Sequence, residues 1–403
     1  MLLEFTVGNF LSFKEKKTFT LEASSITEYK DNVVQKGKYK ILRSAVIYGA
    51  NSSGKSNFIK ALEFMVETVR NSSKLNSTDK LNAKPFLLSD KTVNLPSHFE
   101  ILFTKYGKRY RYGFELDNER IHEEWLYILN EKSKKETLYF IRNIDGIGVA
   151  DVFEEAKMFI ENTKENSLFI SLLDQLNIEI GKQIMGSFSY IFIQSGVEHE
   201  KSITMTSLMH QTDTYQETVE KLINSLNLGF RSFHLETGSN ETFKKRIKTI
   251  HNIFDDNGKI VGEREFKLVE HESSGTNKVF DISGHIAFAL SLGLHLFIDE
   301  LDAKLHPILT QEIIKLFNNP ETNPNDAQLV FTTHDTNLLG AKLFRRDQIW
   351  FTEKDNCEAT DLYSLLEFKD EDGNTIRKDR SFEKDYIMGR YGGIPYISNF
   401  QEI

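Results

Sequence analysis

The sequence predicts a two-lobed α/β protein assembled around a phosphate-binding loop, and three adjacent observations predict it. Ala45-Val46-Ile47-Tyr48 is an apolar, partly β-branched run of the kind that forms a buried strand. The next residues, Gly49 to Ser56, fit the pattern G-x-x-x-x-G-K-[ST] at every fixed position. Phe58, Ile59, Leu62, Met65, Val66 and Val69 then recur at helical spacing, so strand, loop and helix follow in the order such a loop requires. Gly49 and Gly54 let the backbone curl so that successive N–H groups, with Asn51, Ser52, Ser53 and Asn57 completing the cradle, point at phosphate oxygens at a helix N-terminus. Lys55 is expected to reach the β- and γ-phosphates of a bound ATP, and the Ser56 hydroxyl to ligate Mg²⁺.

Composition sets outer limits. With 403 residues the chain can hold one large or two to three ordinary domains, and 31 Phe with only 6 Pro give it a substantial core. A single cysteine, Cys357, excludes a disulfide framework and a cysteine-built metal site, which suits a reducing compartment. No apolar run reaches the length of a membrane span and no signal-peptide pattern opens the chain, so a cytoplasmic protein is expected. A formal charge of −9 excludes a surface that is basic all over. It leaves a local basic patch, and hence nucleic-acid binding, open.

The elements follow in order. Leu3, Phe5 and Val7 mark a first strand, which a strand at Thr18 to Leu21 completes as a hairpin. The phosphate-loop unit ends at Asn71-Ser72-Ser73. Phe99 to Phe103, Tyr110 to Phe114 and Trp125 to Ile128 alternate and are separated by turns, which gives an antiparallel meander. Its aromatics and arginines could stack on bases, but half-buried strands produce the same pattern, and packing is the preferred reading. Residues 152–228 read as mainly helical, with helical spacing over Leu168 to Ile180 and at Val219, Leu222, Ile223 and Leu226. The polar stretch Glu200 to Tyr215 reads as a mobile loop. A strand-rich piece from Phe233 to Glu270 turns at Asp255-Asp256-Asn257-Gly258 and carries Lys244, Lys245, Arg246, Lys248, Lys259, Arg264 and Lys267, read as a solvated face.

Three later motifs supply what an ATP-binding-cassette-type ATPase needs. Glu272-Ser273-Ser274-Gly275-Thr276 precedes an apolar helical run and resembles that superfamily's signature loop, which would set Ser273 and Gly275 at a helix N-terminus. Leu294 to Glu300 is an apolar strand ending in two acids: Asp299 would belong to the Mg²⁺ shell and Glu300 would orient or deprotonate the attacking water. Asp302 falls in the loop that follows. Leu329 to Asp335 is another buried strand, with His334 where these ATPases keep a switch histidine beside the γ-phosphate. Glu300, His334 and Lys55 are thus the catalytic candidates.

Glu272 to Lys278, Ile298 to Pro307 and Phe331 to Leu339, with Asp347 to Phe351 and Tyr386 to Pro395 near the C-terminus, resemble bacterial ABC-like ATPases of the RloA/AbiLi kind. That resemblance implies an ABC-type P-loop head, similar to the ATPase half of OLD nucleases and to SMC-type heads, with an antiparallel β subdomain and a mainly helical inserted lobe. The expected partition is 1–150 and 271–365 for the ATPase lobe, 151–270 for the insertion and 366–403 for the tail. It also implies ATP-driven homodimers or higher homo-oligomers with Ser273 acting on the partner's nucleotide, and a place in antiphage defence (abortive infection) with an effector encoded by a neighbouring gene. No nuclease is expected in the same chain. A DNA-repair or DNA-clamping ATPase is the alternative. Gln194 and Gln175 both stand as candidates for the Q-loop glutamine. The tail from Arg377 to Pro395 is expected to fold back as a clamp rather than to dock the effector.

Overall fold

The computed structural model describes residues 1–130, 135–195, 206, 213–225, 228–236, 246–369 and 373–394, with the backbone alone over 213–216. Lys244, Lys245, Leu226, Pro395 and most of the stretch 200–215 lie outside the described residues. Residues 213–215, expected in a loop, open the helix Asp213–Ser225 instead.

Two sheets organise the chain. The first has seven antiparallel strands in the order Gly146–Val149, Lys135–Asn143, Ile121–Asn130, Lys108–Leu116, Ser97–Lys105, Leu2–Gly8 and Lys17–Thr20. It unites the N-terminal hairpin with the meander, through the pairing of Leu2–Gly8 with Ser97–Lys105. The meander is also longer than its aromatic pattern indicates, because Lys135–Asn143 and Gly146–Val149 extend it.

The second sheet runs Ile191–Ser195, His295–Asp299, Gln328–Thr332, Ser44–Gly49, Ile349–Lys354 and Thr360–Ser364. Its first five strands are parallel and the last is antiparallel. A parallel sheet is covered on both faces, so its strands are apolar on both. Along Ser44–Gly49, Ala45 and Ile47 enter one core while Val46 and Tyr48 enter the other.

The first core fills the space between the two sheets. The helix Lys55–Asn71 lies in it, with Phe58 set against Phe5 and Phe19 at ring separations of 5.6 and 5.2 Å. Tyr110, Tyr112, Phe99 and Phe114 of the meander are buried in it, so these aromatics are packing residues. Phe153 to Ile191 contribute to this core as well. The helical run at 168–180 is two helices, Phe169–Gln175 and Glu179–Phe188, broken where Asn177 takes a left-handed φ of 65°. Glu124, fully buried on the meander, accepts from the N–H groups of Phe169 and Ile170 and so ties the first of these helices to the sheet.

The second core covers the opposite face of the parallel sheet. The helix Ser274–Leu292 is its main element, and Asp213–Ser225 packs on that helix. A three-stranded antiparallel sheet, Ser232–Leu235, Ile247–Phe254 and Ile260–Lys267, adjoins it. The turn at Asp255 to Gly258 closes its hairpin, as the sequence predicts.

Candidate nucleotide site

Register brings the predicted residues to one edge of the parallel sheet. Ile47 lies opposite Thr332, Phe331 opposite Ile298, and Gly49 opposite Thr352. The carboxyl ends of adjacent strands therefore present Asp299, Thr332 and the phosphate loop side by side, which is where open parallel sheets place ligands. Gln194 is on the neighbouring strand opposite Ile298, next to Ser195 opposite Asp299. Gln175 instead is the exposed last residue of the helix Phe169–Gln175, outside the parallel sheet.

The loop is held by its own chain. Gly54 precedes the helix at φ 112°, and a Cβ there would fall 2.6 Å from the Thr360 methyl. A Cβ on Gly49 would come 2.6 Å from the Thr352 carbonyl. Both glycines are required by space, and Gly54 by φ as well. The Thr352 and Ser53 hydroxyls are 2.6 Å apart. The Thr360 hydroxyl bonds the Ser53 carbonyl at 2.9 Å and the Ser12 hydroxyl at 2.7 Å, and the Asn57 amide also donates to Ser12 at 2.7 Å. Asn51 and Ser52 form the exposed crest, with Ser52 at φ 65°.

Lys55 is buried and donates to the carbonyls of Gly49 and Ala50 at 2.8 and 2.9 Å. Burial brings its ammonium down to about 8, against the upward pull of Asp299, Glu300 and Asp302. Those three acids surround the lysine without a direct ion pair to it among the described residues.

Thr332 organises the acids. Its hydroxyl donates to Asp299 Oδ1 at 2.6 Å and accepts from the Glu300 N–H at 2.7 Å. Glu300 stands at φ 55°, a left-handed conformation that disfavours side chains by roughly 1–2 kcal/mol. Such strain gathers at functional sites. Asp302 accepts from the His334 N–H at 3.3 Å, and its Oδ1 is buried without a partner. Asp335 Oδ2 is likewise buried and unpartnered. The His334 ring is exposed, and its pKa is lowered by desolvation first and by the Lys55 ammonium second.

Ser273 stands apart. It caps the helix Ser274–Leu292, its Oγ accepting from the Thr276 N–H at 3.1 Å, and it is exposed. A Cβ on Gly275 would lie 3.2 Å from the Lys304 carbonyl, so this loop touches the loop that follows Asp302. No hydrogen bond among the described residues joins Ser273 or Gly275 to the phosphate loop.

The tail reaches the site from behind. The helix Phe382–Ile387 supplies Asp385, which accepts from Arg380 at 2.7 Å, Arg390 at 2.9 Å and the Tyr391 hydroxyl at 3.0 Å. The Tyr386 hydroxyl donates to the Gly393 carbonyl at 2.9 Å. A Cβ on Gly393, at φ 64°, would lie 3.7 Å from Gly49 Cα. The described part of the tail is thus folded against the phosphate loop's first residue, as a clamp would be.

Residues 44–184 and 208–340 match the model of one protein family, described as "AAA domain, putative AbiEii toxin, Type IV TA system". The chain belongs to this family. As a member of it, the chain carries an AAA-type P-loop ATPase domain. No curated protein matches it. Among solved structures it is similar to an SMC head bound to the C-terminal winged-helix domain of ScpA, at 13% identity over 90% of this chain and 97% of that one, with a TM-score of 0.43. It is also similar to the recombination mediator RecF with ATPrS (12% identity, 90% and 98% covered, TM-score 0.35) and with ATP (13%, 90% and 97%, 0.31). No helix of the described residues is long and apolar enough to cross a membrane.

Four residues of this AAA-domain protein's site escaped sequence reasoning: Ser12, Thr332, Thr352 and Thr360. Thr332 lay within a motif already singled out, next to His334. The other three, Thr352 and Thr360 on strands and Ser12 in the turn between the first two strands, buttress the loop from a distance in sequence and carry no spacing signal.

Proposed function

We propose that the chain hydrolyses ATP in a nucleotide-sandwich homodimer that acts as the sensing, regulatory scaffold of an antiphage (abortive infection) system whose effector is a separate protein. The observation that carries the reading is the alignment of Gly49, Asp299 and Thr332 at one edge of the parallel sheet, with Ser273 outside it.

The residues suit a magnesium nucleotide. Among the described residues no group of three or more His, Cys, Asp or Glu side chains could hold a metal alone. Mg²⁺ needs no such cage, since it takes most of its oxygens from phosphate and water. The Ser56 hydroxyl and Asp299 would hold it, and the orphaned carboxylate oxygen of Asp302 fits a site completed by a ligand. When bound, the ion offsets charge on the β- and γ-oxygens. Lys55 would leave the Gly49 and Ala50 carbonyls for those oxygens, regaining full charge as it does so. Glu300, raised from the sheet edge by its left-handed backbone, would orient the water and accept its proton. His334, neutral at ordinary pH, would donate to the γ-phosphate and release it after cleavage. Ser273 would close the same nucleotide from the second copy.

The family description, with its toxin–antitoxin reference, and the resemblance to RloA/AbiLi-type ATPases support the defence role. A DNA-clamping ATPase without that role is the second reading, and salt-sensitive stimulation of turnover by DNA would favour it. The dimer is tested by sedimentation of Glu300→Gln with Mg-ATP. The proposal expects dimers that disappear in the Lys55→Ala, Glu300→Gln double variant, and a monomer under both conditions would contradict it.

A further inference from the structure

A second cavity, of about 290 Å³, opens at the amino ends of the parallel strands, at the far end of the sheet from the phosphate loop. One wall is the meander strand Ser97–Lys105 and another is the end of the helix Glu179–Phe188. The floor is formed by Ile191 and His295 at the starts of their strands, with Leu292 and Gly293 closing one side. The cavity therefore lies where both hydrophobic cores meet. It also adjoins the far ends of the helix that starts after Ser273 and of the strand that ends at Asp299.

Two of its polar groups have an unmet bonding atom among the described residues, whereas the Met1 amino group, which also lines it, donates to the Thr104 carbonyl at 2.7 Å. Lys105 is half-buried, and its ammonium sits 5.4 and 5.3 Å from the ring centroids of Tyr106 and Tyr190. Two aromatic faces attract it, but no carboxylate among the described residues pairs with it, and burial alone lowers its pKa. His295 is more than nine-tenths buried, and its Nδ1 has no hydrogen-bond partner. Burial, together with positive neighbours that include Lys105, holds this ring neutral. The nearest acid at the rim, Asp326, is engaged twice, by Lys36 at 2.5 Å and by Arg43 at 2.9 Å. The remaining lining is largely apolar, Ile101, Phe103 and Phe188 among it. A buried imidazole with an unmet hydrogen-bonding atom is costly unless something completes it.

We infer that this cavity binds a small organic anion with a flat apolar body, its charged group accepting from the Lys105 ammonium and from neutral His295 in the tautomer protonated at Nδ1, and its body between the apolar walls. The volume stands at the lower end of small-molecule sites, which suits a single-ring ligand. Neither an inorganic anion nor a neutral ring would satisfy both halves of the cavity.

Calorimetric titration of the full chain tests this with benzoate as probe, and benzamide and inorganic phosphate as controls. Saturable one-to-one binding of benzoate is expected, about tenfold or more tighter than either control, and unaffected by saturating ATP. Lys105→Met should abolish the benzoate heat while ATP affinity stays at the wild-type value. Should that variant lose stability, Lys105→Arg decides, because it keeps the charge and should keep binding. Equal binding of benzamide would show that the ammonium plays no part. Equal binding of phosphate would mean an adventitious ion only. Displacement of benzoate by ATP would place the probe in the phosphate loop, and unsaturable binding would mean no site. Any of these overturns the inference and leaves the phosphate-loop assignment untouched, since that rests on Lys55.

Discussion

The phosphate loop is buttressed from three sides by its own chain, whereas Ser273 bonds only within its own helix cap among the described residues, although Glu272 beside it is tied to Thr249 and His251. Ser12, Thr352 and Thr360 lock the first through a chain of hydroxyl contacts, and Gly393 of the tail lies behind it. Ser273 spends its hydroxyl on a helix cap and faces outward. The difference is that the cradle is held within the chain while Ser273 faces outward, where the proposed dimer would use it. A rigid cradle can bind nucleotide alone. An exposed, merely capped serine needs a second surface to become part of a site.

The comparison can be broken hardest at Glu300. Glu300→Gln keeps the side chain's shape but cannot accept a proton, so turnover should fall about 10²–10⁴-fold while ATP affinity holds. Steady-state phosphate release and a fluorescent-nucleotide titration read the two quantities, and wild-type turnover would remove Glu300 from the base's role. Lys55→Ala acts on the rigid half. Losing charge-assisted bonds worth roughly 1.5–3 kcal/mol each should weaken ATP binding by about 10²-fold or more, and unchanged affinity would overturn the phosphate-loop assignment.

A third prediction uses pH. Lys55 titrates at about 8 before ligand arrives because it is buried. Phosphate favours its charged form, so binding above that pH must take up a proton. ATP affinity should be level between about pH 7 and 8, above the terminal phosphate's own ionisation, and then fall by up to about tenfold per unit as pH rises. Calorimetry in buffers of differing ionisation heat would reveal the proton uptake, and a flat profile across this range would show that Lys55 stays charged throughout.

The smallest expected effect sharpens the tail's part. Tyr386→Phe removes the bond to the Gly393 carbonyl and should cost about 1 kcal/mol, a fall in melting temperature of about 2 °C. A clamp predicts that ATP affinity declines with it. Lowered stability with unchanged affinity would mean that the tail supports the sheet but not the loop.

Much of the site was legible because its motifs are local. Gly49 to Ser56, Asp299-Glu300 and His334 each sit at the end of an apolar strand, and parallel strands deliver their carboxyl ends to one edge. The buttress was not legible, because Thr352 and Thr360 converge through sheet order and Ser12 through a turn between strands, neither of which single-sequence periodicity encodes. The break at Asn177 was missed for a similar reason: the apolar spacing runs on while one residue turns left-handed. Gln194 and Gln175 looked equivalent in sequence, and only the pairing of Gln194 with Ile298 separates them.

The most direct measurement mixes two inactive chains, Ser273→Arg and Lys55→Ala, over a range of ratios. The intact Lys55 of one chain would face the intact Ser273 of the other. If the site is divided between two copies, turnover returns to roughly one working site per mixed dimer, peaking at equal proportions. If heterodimers form, as mass measurement would show, and no activity returns at any ratio, the site is built within one chain and the account is wrong.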